Sequence, residues 1–220
     1  MRKLLSSLLV LVVLLVVADR VTVHYVDKSV ADRMQEDGRL DVRPDVDIRG
    51  FPFLTQALRG KYDRTDVQVR DLTRNGVTVS RLDVRITGAR IPLSKVGTAT
   101  DVPVDGLRAT AVVTYFELAH RSGLAGLTVA PSGDKVAVTG TIAGVKATAI
   151  STVSLKGDRV VVKAQSVTAG GMKLPLGTGL DFSVRIPALP YGLRLDGAMA
   201  RPDGVHLAAS SGPTVLTPQG

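Results

Sequence analysis

The chain has no cysteine and no tryptophan, and aromatic residues make up only 4% of its 220 positions. The lack of cysteine excludes disulfide bonds, thiolate metal sites, a thiol nucleophile and a lipoprotein anchor, which needs a cysteine after the signal sequence. With so few aromatic rings, the volume of a core must come from aliphatic side chains. Apolar residues account for 45% of the chain, which is enough for a folded core and argues against disorder.

The chain has one long apolar run, and it lies at the N-terminus. After Arg2 and Lys3, residues 4–17 are apolar apart from two serines, and small or β-branched residues precede Asp19. This pattern is typical of a secretory signal peptide, and the run is shorter than the roughly 20 residues needed to span a bilayer. We therefore predict export, with residues 1–18 acting as a signal peptide or as an uncleaved signal anchor.

Positive charge exceeds negative charge, with 28 lysines and arginines against 20 acidic residues and a net charge of +8. Removal of residues 1–18 would lower this charge by two, to +6. The excess suits contact with anionic lipid or an anionic polymer, or serves solubility. The basic residues are scattered and lack interleaved aromatic residues, so we predict no nucleic-acid partner.

A period of two in hydrophobicity dominates the chain from Tyr62 onward and predicts about ten valine-rich strands. Asn75-Gly76 is the strongest hairpin turn. Helices are predicted for residues 19–38, after Pro52 and after Thr114, where Thr114 and Glu117 have capping-box spacing. Since these helices do not alternate with strands, the predicted fold class is α+β: a large curved antiparallel β-sheet wrapped on a few helices, as a single domain over residues 19–220.

The stretch from Asp47 to Asp63 differs from the alternating pattern around it. Gly50 gives backbone freedom for a turn, Pro52 suits the first turn of a helix, and Gly60 is a plausible helix stop. The residues expected on one apolar helical face are Phe53, Leu54, Ala57 and Leu58. Such a helix serves equally well as a plug that closes a β core or as a ligand contact, and both interpretations stay open.

Residue patterns that carry catalysis are not apparent in the sequence. The three histidines are far apart, and no metal-ligand spacing, nucleophile motif or phosphate loop is present. Asp63 and Asp66 are three residues apart in a predicted strand and so face opposite sides, which is poor geometry for acid–base work. Gly170-Gly171 is interpreted as a turn. We predict that the protein is not an enzyme and uses no metal or cofactor.

Five short segments along the chain form a pattern that can be compared with known protein families. They are Ile48–Leu58 (IRGFPFLTQAL), Gly60–Asp63 (GKYD), Leu189–Leu195 (LPYGLRL), Asp203–Leu207 (DGVHL) and the Ala18–Arg20 exit from the apolar run. In this order and spacing, the segments resemble the actinobacterial LmeA-like phospholipid-binding family. The first segment is the most specific of them.

The resemblance implies a fold similar to tubular lipid-binding modules, in which a long curled sheet wraps on helices around an apolar groove. It also implies an exported envelope protein whose partners are phospholipid, with the phosphatidylinositol type as one candidate, and the membrane surface. A role in envelope glycolipid assembly belongs to particular family members and is a weaker expectation.

We therefore predict a non-enzymatic phospholipid-binding protein of the cell envelope. Its expected location is the periplasmic space, the outer face of the cytoplasmic membrane or the exterior. The predicted acyl-chain contacts are Phe51, Pro52, Phe53, Leu54, Leu58, Val67, Val69, Leu82 and Val84. The predicted headgroup contacts are Arg49, Arg59, Lys61 and Arg64. The alternative is a structural or scaffolding envelope protein with a filled core that binds a partner enzyme or polymer.

Overall fold

Three α-helices and fourteen β-strands make up the described part of the chain. The computed structural model describes residues 2–38, 42–74, 77–95, 101–177 and 179–217. The helices are α1 (Arg2–Gly38), α2 (Phe53–Arg59) and α3 (Tyr115–His120), with a turn of 3-10 helix at Leu93–Lys95. The strands are β1 (Asp45–Arg49), β2 (Lys61–Arg74), β3 (Val77–Arg90), β4 (Val102–Val104), β5 (Gly106–Val113), β6 (Thr128–Ser132), β7 (Lys135–Ile142), β8 (Val145–Lys156), β9 (Arg159–Ala169), β10 (Met172–Leu174), β11 (Phe182–Arg185), β12 (Arg194–Arg201), β13 (Gly204–Ser211) and β14 (Thr214–Leu216).

The strands form two large sheets and one small one. The first sheet has the order β1-β2-β3-β5-β13-β12, the second has the order β10-β9-β8-β7-β6 with β11 also paired to β9, and β14 pairs with β4. Antiparallel pairing is seen for β1–β2, for β12–β13 and throughout the second sheet. The predicted α+β class with large antiparallel sheet is confirmed. Fourteen strands occur where about ten were predicted, because three-residue strands such as β4, β10 and β14 are too short to show an alternation.

The predicted helix over residues 19–38 is part of a longer one. Helix α1 begins at Arg2 and ends at Gly38, so the N-terminal apolar run and the predicted segment form one continuous helix. Within the described residues, no helix combines the length and apolar character needed to cross a bilayer. Export and the processing of residues 1–18 stay predictions. The predicted Asn75-Gly76 turn lies outside the described residues.

The chain divides into two compact units, whose residues interleave along the sequence. The first unit comprises Met1–Val69, Asp83–Leu107 and Gly212–Gly220, and the second comprises Arg70–Leu82 and Arg108–Ser211. The long strands β2 and β3 contribute residues to both units. The predicted domain limits, with a boundary after residue 18, stay a prediction.

In the first unit, side chains of α1 hold the start of the sheet. Asp27 Oδ1 accepts a hydrogen bond from the Ile48 N–H at 3.1 Å, and Arg43 forms a 2.8 Å ion pair with Asp32. Burial, the largest influence, raises the pKa of Asp27 above its ordinary value, against the hydrogen bond from Ile48. The buried apolar residues of this unit are Val23, Ala31, Val46, Ile48, Phe53, Ala57, Tyr62, Val67, Val69, Ile86, Ala89, Val104 and Leu107.

In the second unit, α3 and the second sheet contribute to one apolar core. Thr114 caps α3, because its hydroxyl accepts the Glu117 N–H at 3.2 Å, as the spacing of these residues predicts. Buried and partly exposed residues alternate along β7 and β9, which gives the sheet a core face. The Gly170-Gly171 turn joins β9 to β10, and this prediction is confirmed.

Candidate functional site

The segment singled out in the sequence folds as a short helix between two strands. Gly50 has φ +120°, Pro52 takes the N-cap position of α2, and Gly60 ends the helix in the left-handed conformation with φ +62°. The Gly60 N–H donates to the carbonyl oxygen of Ala57 at 3.1 Å. Each feature matches the turn, helix start and helix stop that the sequence predicts, and the Phe51–Pro52 peptide bond is cis.

The side chains of this segment divide into a buried set and an exposed set. Phe53 is 1% exposed and Ala57 is 2% exposed, whereas Leu54 is half-buried. Phe51 is 59% exposed and Leu58 is 81% exposed. Leu58 therefore does not share the burial of Phe53, although the sequence places both on one apolar face of the helix. Positions 53 and 58 are five residues apart, which at about 100° per residue turns Leu58 well away from Phe53.

Gln56 takes a place on the buried face that the apolar pattern did not predict. Its Oε1 accepts the Asp63 N–H at 2.9 Å, and its side chain is buried. A Cβ added at Gly50 would lie 2.2 Å from Gln56 Nε2, so the glycine makes room for the amide. Gln56 thus links α2 to the start of strand β2. The one signal of this role in the sequence is a glutamine, Gln56, at a position between the apolar residues of α2.

Asp19 joins α1 to the start of α2. The residue is 2% exposed, and its Oδ1 accepts the Leu54 N–H at 2.8 Å. Leu54 lies in the first turn of α2, where backbone N–H groups have no partner within the helix. Arg20 lies next along α1, and its Cζ is 5.2 Å from the centre of the Phe51 ring. The sequence shows Asp19 only as the residue after a predicted cleavage site.

The strand residues predicted to line the site lie in different surroundings. Val67 and Val69 are buried in the first unit, and Val84 of the same unit is half-buried. Leu82 is half-buried and belongs to the second unit. Tyr62, which follows α2, is buried with its ring centre 6.0 Å from that of Phe53. Phe53, Val67 and Val69 therefore belong to a packed apolar core in the first unit.

Two of the predicted headgroup residues share a carboxylate. Arg64 Nη2 lies 2.6 Å from Asp66 Oδ2, and Arg49 Nε lies 2.8 Å from the same oxygen. Arg85 Nε contacts Asp66 Oδ1 at 3.0 Å. Although burial opposes it, hydrogen bonds from Arg64 and Arg85 lower the pKa of Asp66 below its ordinary value. Arg49 also pairs with Asp47, so this cluster joins three guanidinium groups to two carboxylates.

The other two predicted headgroup residues lie at the end of α2. Arg59 and Lys61 are exposed on either side of Gly60. Lys61 Nζ is 4.0 Å from Asp105 Oδ2, the limit of an ion pair, and Asp105 also binds Arg90. The predicted acyl-chain and headgroup roles have no ligand in the structure to test them, and they stay predictions.

The described histidines are not gathered into a metal site. His206 pairs with Asp203 at 2.8 Å, and the His120 ring stacks on Phe116. Among the described residues, no cluster of three or more metal-ligating side chains is present.

The fold and this segment define a class of α+β protein with large antiparallel sheets and a short apolar helix flanked by arginines. The comparison with protein families gives the particular family: the model of the LmeA-like phospholipid-binding family matches residues 17–210. The chain belongs to this family, and the predicted resemblance is confirmed. No curated protein and no solved structure matches the chain. The matched range includes α2 and nearly all of both large sheets.

Proposed function

We propose that this protein is an exported, non-enzymatic phospholipid-binding protein of the cell envelope. Family membership over residues 17–210 supports the phospholipid partner and is the observation that carries the proposal. The charged start followed by an apolar run supports export to the periplasmic space, the outer face of the cytoplasmic membrane or the exterior. We assign this binding to the supply or transfer of lipid for envelope glycolipid assembly.

The proposed acyl-chain site lies in the first unit beside α2. Leu54 and Val84 are half-buried, so each keeps apolar surface that a lipid chain can cover. Phe53, Val67 and Val69 are buried in the same unit. Burial of each methylene of a chain is favourable by about 0.8 kcal/mol, so a diacyl lipid gains affinity without an elaborate polar site.

The proposed headgroup contacts are the exposed cations at the end of α2. Arg59 and Lys61 offer donors to a phosphate, and arginine binds phosphate oxygens in a bidentate manner. Arg49 and Arg64 are held by Asp66, so they contribute mainly through the local excess of positive charge. A phosphatidylinositol-type headgroup fits this proposal because its inositol hydroxyls add hydrogen-bonding groups beside the phosphate.

Native mass spectrometry with lipid extraction tests this proposal on the full chain purified from an envelope-proficient host. A stoichiometric phospholipid is expected in the wild type and a reduced amount in Leu54→Ser. The matched control is Leu174→Ser, a half-buried leucine of the second unit, which is expected to keep its lipid. Loss of lipid from the control alone would move the site to the second unit.

A scaffolding function is the second candidate, and one observation favours it. Phe53, Val67 and Val69 are buried by the protein itself, as a filled core requires. A clean lipid-free mass, with no uptake from vesicles of phosphatidylinositol or phosphatidylglycerol, would exclude the phospholipid-binding function and support the scaffold.

A further inference from the structure

Exposed apolar side chains of the first unit occur on α1 and on the segment from Phe51 to Leu58. All five side chains of Val13–Val17 are exposed, and five consecutive helical residues point to every side of the helix. Phe51 and Leu58 are exposed in the neighbouring segment. Contiguous exposed apolar surface of this kind marks an interaction site more often than isolated exposed residues do.

Two contacts bring Phe51 and the start of α2 to α1. The Asp19 carboxyl group accepts the Leu54 N–H of α2, and the Arg20 guanidinium lies over the ring of Phe51. Asp19 and Arg20 follow directly on the exposed apolar turn of α1. The α1–α2 edge, as we call this surface, consists of Arg20, Phe51, Leu58 and Arg59, and it does not depend on residues 13–17, which lie in the predicted signal segment.

The charge of the α1–α2 edge is positive. Among the described residues, no acidic side chain forms an ion pair with Arg20 or Arg59. Each arginine adjoins an exposed apolar group, Arg20 through its contact with Phe51 and Arg59 through its position next to Leu58. Apolar groups that enter the acyl boundary, with cations beside them at the level of the phosphates, are the pattern of an interfacial membrane contact.

We propose that the α1–α2 edge docks onto a bilayer surface that contains anionic phospholipid. This inference rests on the proposed function, because it assigns the place where a phospholipid-binding protein meets its source of lipid. Phe51 and Leu58, predicted from the sequence to line a lipid groove, then contact the bilayer itself. The docked edge holds the half-buried Leu54, one helical turn from Leu58, close to the lipid phase.

Tryptophan scanning tests the docking directly, because the chain contains no tryptophan and each variant therefore carries one probe. The full chain is made with Phe51→Trp, Leu58→Trp or, as a control, Val42→Trp. Val42 is an exposed apolar residue of the same unit, and its neighbour Arg43 pairs with Asp32. Residue 32 lies twelve residues beyond Arg20 along α1, or roughly 18 Å at the helical rise.

On vesicles of equimolar phosphatidylcholine and phosphatidylglycerol, the emission of Phe51→Trp and Leu58→Trp is expected to shift to shorter wavelength. Lipids with brominated acyl chains are expected to quench most of the tryptophan emission of these two variants. Val42→Trp should keep its emission. Absence of quenching at positions 51 and 58 would overturn the proposal, and so would equal quenching at position 42, which would mean that α1 lies along the surface.

The charged part of the edge is tested by affinity for the same vesicles. A basic residue near an anionic surface contributes about fivefold to affinity, so Arg20→Gln and Arg59→Gln should each weaken binding by about that factor. Neither should weaken binding to phosphatidylcholine alone. Arg43→Gln is the control and is expected to weaken binding less than either edge variant, because Arg43 contacts Lys28 and Asp32, which lie two or more helical turns beyond Arg20 on α1. Equal losses in all three variants would contradict the assignment.

Failure of docking is distinguishable from failure of the proposed function. Quenching that reverses when the variants return to lipid-free detergent marks the bilayer, whereas quenching that persists marks a brominated lipid retained by the protein and overturns docking at this edge. Stoichiometric lipid in native mass spectra without quenching at positions 51 and 58 refutes docking alone. Quenching with a lipid-free mass refutes the phospholipid site and leaves the membrane contact.

Discussion

Replacement of Gly50 by alanine should destabilise the protein more than the same substitution at a glycine with open space around its Cβ position. A side chain at φ +120° costs about 1–3 kcal/mol. The added Cβ would also lie 2.2 Å from Gln56 Nε2, so the buried amide must move. If Gln56 Oε1 then loses the Asp63 N–H, the unsatisfied donor costs about 1–3 kcal/mol more. The expected total decrease in the free energy of unfolding is about 2–6 kcal/mol.

Urea unfolding followed by far-UV circular dichroism measures this decrease in the free energy of unfolding, provided that the slope of that free energy against urea concentration is the same in both proteins. The matched control is Gly123→Ala, because Gly123 has φ +74° and open space around its Cβ position. This control should show only the backbone cost of about 1–3 kcal/mol.

A double-mutant cycle separates the two contributions. Gln56→Ala removes the side chain that the new Cβ would displace, so both single variants lose the same hydrogen bond to Asp63. The double variant Gly50→Ala with Gln56→Ala should therefore lose about 1–3 kcal/mol less than the sum of the single variants. Additive losses, or a loss in Gly50→Ala no larger than in Gly123→Ala, would refute the coupling between Gly50 and Gln56.

Three further substitutions test the electrostatics and capping by urea unfolding. Asp27→Asn should raise stability at neutral pH, because burial raises the pKa of Asp27 and the amide oxygen of the variant can still accept the Ile48 N–H. The wild type should gain stability as the pH falls through this raised pKa, whereas the variant should not. The pKa of Asp66 is lowered in the fold, so its ionised carboxylate stabilises the wild type above the ordinary pKa of 3.8, and this stabilisation is lost as the pH falls below that value. Asp66→Asn should abolish this pH-dependent stabilisation. Thr114→Ala should cost about 0.5–2 kcal/mol, because the Glu117 N–H loses its cap.

Each of these expectations has a clear contrary result. Parallel pH profiles for the wild type and Asp27→Asn would show that burial of this carboxyl group does not affect stability. Parallel profiles for the wild type and Asp66→Asn would show that the hydrogen bonds from Arg64 and Arg85 do not. For the cap, Thr114→Ser keeps the hydroxyl group and should remain close to the wild type. If it were as unstable as Thr114→Ala, the methyl group rather than the hydrogen bond would matter.

Features that depend on neighbouring residues in the chain were predictable. Pro52 and Gly60 mark the start and end of α2 because their backbone preferences act locally, and Thr114 caps α3 because its partner is three residues away. The alternation of valines similarly predicted strands and, through the lack of regular helix–strand alternation, the α+β class. The motif from Ile48 to Leu58 was specific enough to indicate the family.

Features that depend on distant partners appear only in the tertiary structure. Asp19 and Leu54 are 35 residues apart, so their hydrogen bond leaves no local pattern. Arg85 joins Asp66 only because β3 is next to β2 in the sheet. The exposure of Leu58 and the burial of Gln56 depend on what packs against α2, which a hydrophobic pattern over seven residues does not specify.

The sequence by itself determined the composition of the core, the class of fold and the family, since each follows from residue types and short-range periodicity. Tertiary structure alone decided which members of the conspicuous apolar segment form the core and which reach the surface. The physical reason is that burial depends on contacts between elements. Helix α1 is distant in sequence from α2, and its central residues Asp19 and Arg20 supply the partners of Leu54 and Phe51.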